Sequence, residues 1–392
     1  MDSTAGEQRQ TAGERTQRIL VRGVNWLGDA VMCTPALLRL RERFPQAHIA
    51  LLTHEKLADL WPQHPAVDEV ISFGSRTGVQ AVGRRLRSGR FDVAVVLPNS
   101  VRSALEVWLA RIPRRVGYRR PWRNWFLTDA VEDRAGAVAM RKRTVAEIRA
   151  LVAAPPAAPA RRTPGSPHAH HIHQYLHLVG ALGANPMPLA PRLHVSGLEL
   201  AALDSVRLKQ GRLADFVIGL NPGAEYGPAT RWPVENFAAV ANELYRRLSC
   251  EFLVFGGPGD VELANQLASW LPGPRANGHV TSLAGRTSLR ELMANLRLCH
   301  VLLTNDTGPM HVAAALGTPV VVPFGSTAPE LTGPGLPAEA RHRLLTSEAP
   351  CSPCFLRMCP IDFRCMKGIA VDRVVAEMVD VLKPESPGRG PG

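Results

Sequence analysis

Three stretches of this chain combine residue types that can manage a proton and an anion. The first, Val24-Asn25-Trp26-Leu27-Gly28-Asp29, reads as a strand-to-helix turn whose glycine admits close backbone approach and whose aspartate stands at the helix start. An aspartate there is either a helix N-cap, favourable by about 1 kcal/mol, or a cleft carboxylate that can act as a general base. The turn is not a dinucleotide fingerprint, because Gly23 and Gly28 lack the register of G-x-G-x-x-G.

The second stretch runs from Asn221 to Pro233 (NPGAEYGPATRWP), a Gly/Pro loop too long for a simple connector. Its Arg231 is either a bidentate phosphate ligand or an exposed pair for Glu235. In the third, Thr304-Asn305-Asp306-Thr307-Gly308-Pro309-Met310-His311, a strand ends in Asn-Asp-Thr-Gly and a helix begins at once. Free backbone N–H groups at that helix start form an anion site, and Gly308 allows a ligand to come close. His311, in the first turn, reads by itself as a packed residue. A Gly325-Ser326-Thr327 turn follows the next strand and faces the same side. A fourth cluster, Cys351, Cys354, Cys359 and Cys365, is either free thiol or a zinc site, although its C-x2-C-x4-C-x5-C spacing is not the paired pattern of zinc ribbons.

Positioning such groups requires strands that end where helices begin. Short β-branched runs alternate with helical stretches from Arg18 onward, the pattern of βαβ units with a parallel sheet. Strands are expected at Ile19–Val24, His48–Thr53, Glu69–Phe73, Phe91–Pro98 and Arg115–Tyr118, with one helix spanning Asp29–Phe44. A second series is expected at Phe216–Asn221, Glu251–Gly256, Val280–Ala284, Val301–Thr304 and Pro319–Phe324. The fold class is therefore α/β, with two doubly wound domains facing a cleft. The first covers 18–186 and the second 196–371, with Gly183–Val195 as linker. Residues 372–392 add a terminal helix and a disordered Pro/Gly tail. The Pro- and His-rich stretch 154–173 reads as a loop or disordered insert. Ligands of open α/β sheets sit outside the carboxyl ends of the strands, which places all three motifs at the cleft.

Composition narrows the function classes. The 392 residues are 45% hydrophobic and 20% charged, with no apolar run near the roughly 18 residues of a membrane span, so the chain reads as a globular protein of two domains. Its polar start, Met1 to Arg18, predicts a cytosolic protein, and seven cysteines in that compartment argue against a disulfide framework. A formal charge of +12 favours anionic partners. Between Arg76 and Arg123 stand twelve arginines against Asp92 and Glu106, interleaved with Trp108, Tyr118 and Trp122. This region is either a set of solvated faces or an anion- or membrane-facing surface. A nicotinamide enzyme would need the missing glycine fingerprint. A non-catalytic anion- or nucleic-acid-binding protein would explain the charge but not a phosphate site set opposite an aspartate.

The stretches VNWLGDAVMCTPAL, NPGAEYGPATRWP and NDTGPMHVAAALGTPVV, in this order and at these separations, resemble the ADP-heptose:lipopolysaccharide heptosyltransferases of glycosyltransferase family 9. AEYGP favours the type II branch, while types I and III share the other motifs. The likeness runs from about Arg18 to Val381. It implies a GT-B architecture of two Rossmann-like domains. The expected reaction is inverting transfer of L-glycero-D-manno-heptose from ADP-L-glycero-D-manno-heptose to the first heptose of the lipid A-linked inner core. It further implies work at the cytoplasmic face of the inner membrane, no required cofactor or metal, and no nucleic-acid partner. Asp29 would be the base. Thr230, Arg231, Asp306, Thr307, Gly308 and His311 would bind the donor, while Asn25, Gly28 and Glu225 would contact acceptor or phosphate. Where members often carry lysine before Arg-Trp-Pro this chain has Thr230, which moves the phosphate-neutralising role to Arg231. The basic region Arg76–Arg123 would meet a phosphorylated glycolipid in the inner leaflet.

Overall fold

The computed structural model describes residues 18–154, 167–209, 214–271, 280–336 and 339–383. Twelve strands form two six-stranded sheets in which every pair is parallel. The first sheet holds β1 (Arg18–Arg22), β2 (His48–His54), β3 (Glu69–Phe73), β4 (Val93–Val96), β5 (Arg114–Tyr118) and β6 (Asp129–Val131), in the order β3-β2-β1-β4-β5-β6. The second holds β7 (Phe216–Asn221), β8 (Cys250–Val254), β9 (Val280–Ser282), β10 (Val301–Thr304), β11 (Val320–Phe324) and β12 (Arg343–Thr346), in the order β12-β11-β10-β7-β8-β9. Counted from its own first strand, each half has the doubly wound order 3-2-1-4-5-6. The central strands are buried on both faces, which explains why VAVV and VLLT read as continuous apolar runs.

Most expected strands are present with trimmed ends. The three-residue β6 and the four-residue β12 escape a sequence reading because they are short edge strands with little or no β-branched run. The expected helix Asp29–Phe44 is two helices, Leu27–Met32 and Thr34–Arg43, jointed at Cys33. Pro35 causes the joint, since it has no N–H to continue the ladder and it suits the first turn of a new helix. The terminal helix, Val371–Leu382, is no appendage. Val374, Val375, Met378 and Leu382 complete the core of the second half.

Two further expectations need correction. Residues 155–166 of the presumed insert lie outside the described residues, as does the tail beyond 383, but the insert's end is core. His170 and His173 are buried, and His170 Nε2 lies 3.0 Å from the Gly333 carbonyl, which ties this segment to the second half. The boundary at 186 also mixes the halves. The helix Val145–Ala153 buries Ile148 against Cys351 and Cys354 of the second half. No helix among the described residues is long and apolar enough to cross a membrane.

Candidate active site

Asp29 sits one turn beyond the carboxyl end of β1. Trp26 occupies the N-cap position of its helix, so Asp29 is not the cap and its carboxylate is free to face the cleft. The Tyr175 hydroxyl donates to that carboxylate, and His171 Nε2 lies 3.8 Å from Oδ1 and 3.1 Å from the Tyr175 oxygen. Burial raises Asp29 to about 6, with the Tyr175 hydrogen bond pulling the other way. Burial also lowers His171 to about 4, so at neutral pH it stands beside Asp29 as a neutral ring. The result is a carboxylate that is ionised at pH 7 yet holds a proton well enough to take one from a substrate hydroxyl.

The second half presents a helix start to this carboxylate. Thr307 is the extended N-cap of the helix Gly308–Ala315, and Pro309 fixes its first turn. A Cβ on Gly308 would lie 2.7 Å from Leu27 Cδ2, and a Cβ on Gly28 would lie 2.7 Å from His311 Cδ2. The helices Leu27–Met32 and Gly308–Ala315 therefore meet across the cleft at a distance that only glycine at both positions permits. His311, lowered to about 3 by burial and by the neighbouring His170 and His171, is a neutral wall of this contact. Asp306 is raised to about 6, chiefly by burial. Asn305 is fully buried. Its side chain accepts from Trp232 N at 2.9 Å and donates to the Pro222 carbonyl at 2.7 Å, so the second and third motifs are hydrogen-bonded together.

Two adjoining cavities open at this contact. One, of about 420 Å³, is lined by Asp29, Glu225, Asp306, Thr307, Gly308 and His311, among others. The other, of about 380 Å³, lies off the ends of β7, β8 and β10, and its wall includes Gly223, Gly257, Asp260, Ser288 and Leu292. Trp26, Gly28, Glu225, Thr307 and Gly308 border both.

Some expected residues are placed elsewhere. Thr230 is fully buried, with its hydroxyl donating to the Gly227 carbonyl, so it offers nothing to a ligand. Arg231 lines neither cavity. It donates to the Ala224 carbonyl at 3.2 Å and lies 3.7 Å from Asp260, not beside Glu235. Asn25 lies outside both cavities and accepts from Arg22 Nη1 at 3.2 Å. Among the described residues no three His, Cys, Asp or Glu side chains are placed to hold a metal ion, and Cys351 and Cys354 instead pack under Ile148. The basic run also divides. Arg114, Arg119 and Arg120 pair with Asp129, Glu132 and Asp133, which follow the stretch in sequence, and Arg102 pairs with Glu106.

Sequence reading missed Tyr175, His171, Lys142 and Arg357. His171 comes from the stretch 154–173 that reads as an insert, and Tyr175 from the helix directly after it. Lys142 had a usable signal, since it is one of only five lysines in an arginine-rich chain, and two of the five, Lys56 and Lys142, border the cavities.

Comparison with known proteins agrees with this fold. Lipopolysaccharide heptosyltransferase 2 of Salmonella typhimurium is 33% identical over 326 residues, spanning 81% of this chain and 85% of that protein. The solved structure of E. coli ADP-heptose LPS heptosyltransferase II matches with a TM-score of 0.72 at 29% identity, covering 93% of this chain and 98% of its own. E. coli heptosyltransferase WaaC with ADP shares the fold, with a TM-score of 0.63 at 17% identity over 93% of this chain and all of that one. The two facing sheets are thus the GT-B-like arrangement of these structures. The model of glycosyltransferase family 9 (heptosyltransferase) matches residues 79–363, and the chain belongs to that family.

Proposed function

We propose that this glycosyltransferase moves L-glycero-D-manno-heptose from ADP-heptose to the first heptose of the lipopolysaccharide inner core, with inversion. The observation that carries the reading is Asp29, raised to about 6 and facing the Gly308 helix start across one cavity. The carboxylate takes the proton of the acceptor hydroxyl as its oxygen bonds to the anomeric carbon. The bond from that carbon to the diphosphate oxygen breaks, and ADP leaves with the electron pair. Backbone N–H groups of Thr307 and Gly308 stabilise the charge that develops on the departing phosphate. The glycine-lined cavity off β7 takes the nucleoside, and Asp306 holds hydroxyls of the transferred sugar. The names of the relatives support type II over types I and III.

The lipid-linked acceptor implies contact with a membrane surface. Trp122 and Trp125 are 76% and 80% exposed and meet edge to face, and Trp108 nearby packs on Phe126. Tryptophan at such exposure suits the headgroup layer; Arg111, three residues beyond Trp108, and Arg84, on the helix Val79–Ser88 packed against that of Trp108, form no ion pair among the described residues. This face, and not the whole basic run, is the docking surface in our reading.

Transfer from ADP-heptose to a lipid A acceptor carrying one heptose tests the proposal, with acceptors carrying none or two as controls. Product only on the one-heptose acceptor is expected. Product only on the heptose-free acceptor would reassign the chain to type I chemistry, and no product on any acceptor would overturn the reading. Flotation with anionic vesicles should fall as salt rises, and more steeply in a Trp122→Ala, Trp125→Ala protein.

A further inference from the structure

The cavity that holds Asp29, Glu225 and Asp306 also has two cations on its wall, Lys142 and Arg357, and neither belongs to the three motifs. Lys142 comes from the first half, on the approach to the helix Val145–Ala153. Arg357 comes from the cysteine-bearing loop of the second half. Neither forms an ion pair with a carboxylate among the described residues.

The backbone at both positions is held in place. Next to Lys142, Arg143 donates its backbone N–H to the Cys354 carbonyl at 3.0 Å and its Nη1 to the Pro350 carbonyl at 3.2 Å. Ile148 closes a small apolar core on Cys351 and Cys354. Arg357 stacks over the Tyr226 ring at 5.2 Å, and its carbonyl accepts from Ala229 N at 3.0 Å. The Tyr226 hydroxyl in turn donates to the Phe355 carbonyl at 2.7 Å. The segment around Lys142 and the cysteine loop are thus one packed unit that brings two cations without a carboxylate partner to a cavity already carrying three carboxylates.

We infer that Lys142 and Arg357 form a phosphate-binding lip of the active site, one cation from each half, in place of the cation that Thr230 and Arg231 do not deliver to the cavity. Arginine suits this role through paired N–H groups and lysine as a compact charge. The phosphate is either the diphosphate of the donor or an anionic group on the acceptor, and both present the same chemistry. The inference rests on the transferase reading for the identity of the anion, but ADP binding can be measured without turnover.

The test is calorimetric titration of ADP into the full chain and its Lys142→Ala, Arg357→Ala double variant, together with acceptor KM on phosphorylated and dephosphorylated lipid A acceptors. A loss of ADP affinity of tenfold or more at unchanged acceptor KM supports the inference with the donor as source. A tenfold rise in KM confined to the phosphorylated acceptor, at unchanged ADP affinity, supports it with the acceptor as source. A Lys142→Arg variant should stay within about threefold of wild type, because the charge is kept there, whereas Arg357→Lys should lose affinity along with its paired N–H groups and its stack on Tyr226. Changes within twofold for the alanine pair, or a loss in Lys142→Arg equal to that of the alanine pair, overturn the inference even if the wild type transfers heptose. If no acceptor is used yet the alanine pair loses ADP affinity, the heptosyltransferase reading falls and the lip stands.

Discussion

The two halves share one topology and use its crevice in opposite ways. In each sheet the strand order reverses beside the first strand, at β1/β4 and at β7/β10, which is where an open α/β sheet takes a ligand. In the first half that place is filled. Arg22, the last residue of β1, is buried with Glu106 at 2.9 Å, bonds the Gly23 carbonyl as well, and lies over the Phe73 ring. In the second half the matching residue is Asn221, which is satisfied by Thr304 at 3.0 Å and followed by Gly223, and a cavity of about 380 Å³ remains. The backbone provides a crevice in both halves, and side-chain choice at the strand end decides whether it becomes floor or ligand bed. In the proposed reaction the first half therefore contributes reactivity at its rim through Asp29, and the second contributes binding.

Breaking the floor should have the largest effect. Glu106→Ala leaves Arg22 buried without a carboxylate and should cost about 3–5 kcal/mol of stability by denaturant titration, with ADP affinity of the folded protein unchanged. If ADP affinity falls while stability holds, the first crevice is a ligand site and the contrast fails. Next comes the rim. Asp29→Asn should lower kcat by at least about a hundredfold, or about 2.7 kcal/mol of barrier, with ADP affinity within twofold. Because burial raises Asp29 to about 6, wild-type kcat should drop tenfold per pH unit below that value, and the residual rate of the Asn variant should not follow this profile. The sign for stability is the reverse of the usual carboxylate case. The folded state binds this proton more tightly than the unfolded state, so its contribution is present at low pH and lost as pH rises between about 4 and 6. The smallest effect sharpens the contact between the halves. Gly308→Ala should lower kcat/KM about tenfold by pressing a methyl group on Leu27. Gly197→Ala, which meets nothing within 4 Å, should leave it unchanged.

Sequence legibility followed the same division. Period and punctuation identify elements whose apolar runs are long, and so both sheets were readable apart from the edge strands β6 and β12. The placement of Asp29 and Gly308 at the cleft was readable because a strand, a turn and a helix stand consecutively in sequence at each. Tyr175 and His171 were not, since they reach Asp29 from about 140 residues away on a helix preceded by Pro- and His-rich sequence. Arg231 failed for a different reason. A residue type and a loop identify a possible ligand, but whether the guanidinium turns to the cavity or to the Ala224 carbonyl is decided by packing that no local pattern encodes. The basic run misled because a count ending at Arg123 stops short of Asp129, Glu132 and Asp133, which neutralise part of it.

The helix Val145–Ala153 has a bearing on how the molecule can be divided. Its residues belong by sequence to the first half, yet Ile148 is the apolar cover for Cys351 and Cys354. Expressed alone from residue 196 onward, the second half would expose two thiols and an aliphatic patch to solvent, and it should oxidise and self-associate. The same half expressed together with residues 141–153 as a separate peptide should recover a covered surface. A gene cut at the linker would not yield two independent modules, so the pair is inherited as a clasp in which each half closes part of the other.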